Sequence, residues 1–124
     1  MESESGLSPE EVEIFARGLY YIASVDGIEP READLIAEFL RDTQANLSVE
    51  DLKGVAFSPV EAAQVLEATY LRRIFIKAAI GLVKADGIYS DAERKALGEF
   101  ADVFGLSNTE FGELEQDVGR QGLA

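Results

Sequence analysis

Neither cysteine nor histidine occurs anywhere in the 124-residue chain. Without thiolate or imidazole there is no zinc site of the usual structural kind, no Ser–His or Cys–His nucleophile and no redox pair. A metal would have to be held by oxygen alone, which favours Ca2+, Mg2+ or Mn2+. Positive charge is scarce too: 24 acids stand against 11 bases, a net −13. Such a chain repels phosphate backbones, and nucleic acid is not an expected partner. No uninterrupted apolar run reaches 18 residues, so no membrane-spanning helix is expected. The acidic, polar first residues do not read as a secretory signal, and the expected location is cytoplasmic.

Proline is nearly absent as well, and its three positions are informative. Pro9, Pro30 and Pro59 each stand where a helix would begin. Ser8-Pro9-Glu10-Glu11 and Ser58-Pro59-Val60-Glu61 read as capping boxes, as does Ser90-Asp91-Ala92-Glu93. Shorter signals at Ser48-Val49-Glu50-Asp51 and Ser107-Asn108-Thr109-Glu110 open two more helices. The first helix should reach about Val25, with Val12, Phe15, Leu19 and Ile22 as one buried stripe. A second stripe (Ile14, Gly18, Tyr21, Val25) makes this helix either central or part of an interface, and a homo-oligomer stays open. Tyr20, Tyr21 and Tyr70 are expected in the core or at its edge.

From Pro59 to Ala85 no further proline interrupts the chain, too long for one ordinary helix, so a break is expected near residues 68–70. No segment alternates with period two, and no sheet is expected. The predicted fold is all-α, with about seven helices and two pseudo-symmetric helical hairpins in one compact bundle. Residues 1–7 should form a disordered acidic arm, 8–119 a single helical domain, and 120–124 a frayed end.

The strongest positive signal is duplication. Residues 22–32 run from an apolar helix through Asp26-Gly27-Ile28 to a helix start at Pro30 with Glu32. Sixty residues later Leu82 to Ala85 lead through Asp86-Gly87-Ile88 to Ser90 and Glu93. A repeat of this kind suggests two helical hairpins about a pseudo-two-fold axis. Gly27 and Gly87 read as the structural turn glycines that end each first helix.

With Ala85, Asp86, Gly87, Ser90 and Glu93 in one copy and Asp26, Gly27 and Glu32 in the other, the chain resembles the tellurite-resistance TerB-like family over about residues 9–106. The first copy departs from the pattern, having Val25 before the Asp and a spacer one residue shorter. The resemblance implies an all-helical domain in two related halves, linked to tellurite and other chemical-stress systems. It further implies work through membrane-associated protein partners, with acidic residues as a metal site.

Two readings of the acidic corners remain open. Asp26, Glu32, Asp86 and Glu93 could converge on one divalent cation with oxygen ligands. An EF-hand is excluded, because aligning its obligatory Gly on Gly87 puts Leu82 and Lys84 at the first ligand positions. Alternatively each Asp makes an Asx-type turn and each Glu complements a helix N-terminus, fixing only the angle between two helices. Arg72, Arg73, Lys77 and Lys84 form a modest basic set, a solvated face or a patch for an acidic partner. The function expected is a non-catalytic interaction or scaffold module in a stress-response system. The alternative is a divalent-cation sensor, and an enzyme using paired carboxylates ranks last.

Overall fold

In the computed structural model, which describes residues 8–25, 27–28, 30–53, 57–84 and 90–121, helices account for every regular element. They are α1 (Pro9–Ala23), α2 (Pro30–Asp42), α3 (Val49–Leu52), α4 (Pro59–Val65), α5 (Thr69–Val83), α6 (Asp91–Phe104) and α7 (Asn108–Gln121). Seven helices and no strand among the described residues match the expected class. Their starts follow the sequence closely. Ser8 Oγ accepts from the Glu11 N–H at 3.1 Å, and Glu11 Oε1 accepts from the Ser8 N–H at 2.9 Å. Ser107 and Glu110 repeat the exchange at α7, both bonds at 3.1 Å. At Ser58 the helix begins as expected, but no side-chain cap forms. There the Glu61 N–H donates to the Ser58 carbonyl instead, at 3.0 Å.

Helix ends differ more from expectation. α1 stops at Ala23, with Ser24 as its C-cap, and Val25 stands outside the helix and exposed. Gly27 is left-handed (φ 95°), but three residues beyond the cap rather than next to it. The break between α4 and α5 lies at residues 66–68, slightly earlier than expected. Its cause is Arg72. The guanidinium reaches back from α5 to donate to the Leu66 carbonyl and, at 2.9 Å, to the Ala63 carbonyl. These are orphan acceptors of the α4 C-terminus, so a side chain completes what the helix cannot.

The core grows from α1, which packs against α2, α3, α4, α5 and α6. Both of its apolar faces are therefore used inside the bundle. Phe15 and Phe75, from positions sixty apart, cross edge to face at the centre with centroids 5.3 Å apart. Each then meets a ring from the second helix of its own hairpin, Phe39 at 6.0 Å and Phe100 at 4.9 Å. Phe39 and Phe100 are themselves equivalent positions. Ile36 and Leu97, again matched, are fully buried. Two equivalent residues touching each other is what a pseudo-two-fold axis through the core produces.

The correspondence extends past the helices. Gln44 (φ 58°) and Gly105 (φ 79°) are the left-handed residues after α2 and α6. Ala45 N–H donates to the Leu40 carbonyl and Leu106 N–H to the Ala101 carbonyl, both at 2.9 Å. Both hairpins thus finish in the same Schellman closure, one with its usual glycine and one without. α7 follows the duplicated unit and packs on α5.

Candidate functional site

Each hairpin turns a corner between its helices, and the first turn beyond each corner carries a glutamate at the third helical position. Glu32 is 1% exposed and Glu93 is 4% exposed. A carboxylate at a helix start is ordinary, because the amide dipoles favour it there. Burial to this degree is not, since removing a carboxylate from water costs several kcal/mol unless bonds replace the solvent. Glu11 and Glu110 make the same local exchange at α1 and α7 and are only half-buried. Dryness therefore belongs to the duplicated corners rather than to the capping box.

For Glu93 part of the compensation is explicit. Its Oε1 accepts from the Ser90 N–H at 3.0 Å, while its own N–H donates to Ser90 Oγ at 3.1 Å. That pair ties the corner to α6 and accounts for one carboxylate oxygen. Glu32 occupies the matching place in α2, behind Pro30. Asp26, Asp86 and Gly87 lie outside the described residues. Among the described residues, no group of three or more acidic side chains is placed to hold a metal ion.

The basic set does not form one uniform surface. Arg72 turns inward: besides the two carbonyls of the α4 end, it donates to the Phe104 carbonyl at 3.2 Å. Its guanidinium also lies over the Phe104 ring, 5.5 Å from the centroid. Arg73 pairs with Glu110 across to α7. Lys77, one turn further along α5, and Lys84, the C-cap just past its end, are half-buried. Glu110 is held below its ordinary range, first by the Ser107 backbone N–H, then by the Ser107 side chain and the Arg73 charge.

Two features escaped the sequence reading. The burial of Glu32 and Glu93 has no local signal, because it depends on what packs over each corner. The other is on α5, where Tyr70 is 65% and Ile74 is 47% exposed. Tyr70 is thus neither core nor core edge, whereas Tyr20 and Tyr21 pack against the core as expected. Helical register would have exposed the error: Leu71, Phe75, Ala79 and Leu82 define the buried face, and residues 70 and 74 fall off it.

Residues 2–116 match the family model described as tellurite resistance protein TerB. Among solved structures, the chain is similar to a tellurite resistance protein from Nostoc punctiforme, at 23% identity and a TM-score of 0.72. That similarity covers 93% of this chain and 75% of the other. No curated protein matches the chain.

Proposed function

Because the chain belongs to the tellurite resistance TerB family, we propose that it serves as a non-catalytic interaction module in a bacterial stress-response system of that type, working in the cytoplasm. One observation carries this reading. The inward polar groups with assigned bonds hold backbone: Glu93 the Ser90 N–H, Thr43 the Phe39 carbonyl at 2.8 Å, and Arg72 three carbonyls. The interior is given over to the frame, so the work falls to the surface. The partner envisaged is a protein, membrane-associated or not, since a net −13 chain disfavours nucleic acid.

Reciprocal purification tests the reading. The tagged chain and each candidate partner are recovered in turn from cells grown with and without tellurite. A partner that returns the chain when tagged itself is the expected result. Failure of every candidate in the reverse direction, with wild-type tellurite tolerance in a strain lacking the chain, would remove the proposal.

The buried Glu32 and Glu93 favour a second reading, a divalent-cation sensor at the duplicated corners. Calorimetry with Ca2+, Mg2+ and Mn2+ addresses it directly. Binding should raise the melting temperature with the logarithm of cation concentration and vanish in Asp26→Asn/Asp86→Asn. No heat and no shift at millimolar cation would end it.

A further inference from the structure

The outer face of α5 carries an apolar stripe that none of the described residues covers. Tyr70 and Ile74 stand one turn apart on that face, and Lys77 follows on the same side. Two exposed apolar residues are ordinary on their own. The internal duplication makes them informative. Ile74 is the counterpart of Ile14, sixty positions earlier, and Ile14 is 6% exposed within the core. α1 is covered by α3 and α4 in addition to its own hairpin partner, whereas the cover on α5 comes from α1, α2, α6 and α7 and leaves Ile74 open. The same position of the same unit is sealed in one half and bare in the other.

We infer that the bare stripe pairs with the α5 of a second copy of this chain, the two helices antiparallel about a two-fold axis near residue 72. The reason for choosing a second copy is charge. Glu67, exposed just ahead of α5, and Lys77 flank the stripe at either end. Among the described residues, neither takes part in an ion pair within the chain. An antiparallel pairing that sets Tyr70 against the partner copy's Ile74 also sets Glu67 against its Lys77. Each contact then occurs twice, as a two-fold interface requires. Arg73, on the flank toward α7, is already matched by Glu110 and does not oppose its own copy unpaired. The seam is a single helix pair, well below the roughly 1,600 Å2 of a standard stable interface, so the dimer is weak and forms at high concentration. This inference goes beyond the interaction-module reading and does not depend on it.

Sedimentation of the full chain from about 10 μM to about 1 mM, in 0.15 M salt to limit the repulsion of two acidic chains, reads it directly. The mass should rise from the monomer's 13.5 kDa toward twice that value. Ile74→Glu, at an exposed position, should melt like the wild type and stay monomeric. Glu67→Lys and Lys77→Glu should each weaken self-association about tenfold, because either change turns both two-fold-related charge contacts from attractive to repulsive. Mixing these two variants should restore pairing, because every opposed pair is then of opposite sign, and so should the double variant. A monomer throughout the range, an Ile74→Glu variant that dimerises normally, or two charge variants that fail to pair when mixed would each overturn it. Loss of a stress partner from purification would leave it untouched.

Discussion

Replacing Gly18 by alanine tests the centre of this fold, because two opposing effects meet there with known sizes. Gly18 lies in the middle of α1 and is buried. On propensity alone, alanine should stabilise the helix by about 1 kcal/mol. The Phe75 ring, however, lies against the glycine. A Cβ built there would stand 2.6 Å from Cζ and 2.7 Å from Cε1 of Phe75, and 3.5 Å from Cε1 of Phe100. Phe75 is fully buried and touches Phe15, Phe100 and Phe104, at 5.3, 4.9 and 5.9 Å between centroids, so it has nowhere to retreat. Overpacking of this kind costs about 1–3 kcal/mol. The net expectation is a loss of about 1 kcal/mol, or about 3–5 °C in melting temperature for a domain of this size. Gly98→Ala supplies the control. It lies in α6 with nothing within 4 Å of where the alanine methyl would sit, and should gain up to about 1 kcal/mol. Urea unfolding of both variants, of Phe75→Leu and of Gly18→Ala/Phe75→Leu gives the comparison, with a coupling of about 1 kcal/mol expected between residues 18 and 75. Equal stabilisation by Gly18→Ala and Gly98→Ala would show that the ring does not rest on α1.

Three further changes follow from particular contacts. Gln44→Gly should stabilise by about 0.5–1 kcal/mol in thermal unfolding, because a non-glycine costs about 1–2 kcal/mol in the left-handed region and glycine gives back part of that as unfolded-state entropy. Arg72→Met keeps much of the stem but orphans the carbonyls of Ala63, Leu66 and Phe104. It should cost about 2–3 kcal/mol, and Arg72→Lys should recover little, since an ammonium cannot serve a three-way fork. Glu110 has its pKa lowered in the folded chain, so its contribution is whole above the ordinary carboxylate range and is lost as pH falls through the depressed value. Protection of the amides in the first turn of α7, measured against their intrinsic exchange rates, should therefore fall as pH drops below the ordinary carboxylate range, and Glu110→Gln should remove that pH dependence.

Most helix starts were legible because they are written locally: a serine with an acid three residues later opens α1, α3, α4, α6 and α7, and a proline opens α1, α2 and α4, whereas α5, behind Ala68, carries neither signal. The duplication was legible for the same reason, and with it the two hairpins and the TerB-like family. Helix ends were less so. α1 stops before Gly27 through its own C-cap at Ser24, and α2 closes on Gln44, a residue that announces nothing. What the sequence concealed altogether were relations between distant segments. Arg72 looked like one cation among four until the α4 carbonyls and Phe104 came within its reach. Ile74 looked like part of an apolar helix until α7 proved to cover a different side. Glu32 and Glu93 read as helix-start acids, and only the packing over each corner makes them dry.

Those two glutamates separate the frame from the chemistry most sharply. If Glu93 does no more than hold the Ser90 N–H, an amide oxygen can do the same, and Glu93→Gln should stay within about 1 kcal/mol of wild type. Glu93→Ala leaves that N–H without its acceptor and opens a cavity, and should cost about 1–3 kcal/mol. The order wild type, Gln, then Ala, unchanged by added Ca2+, Mg2+ or Mn2+, is the signature of a purely structural corner. A cation held there would reverse part of it: glutamine would match the wild type without metal and fall behind it with metal, by an amount growing with cation concentration. The matched position in the other half provides the internal check, because Glu32→Gln should behave alike if the two corners serve one purpose. A large loss for Glu93→Gln in metal-free buffer would contradict both accounts, since neither gives the second carboxylate oxygen a part in folding.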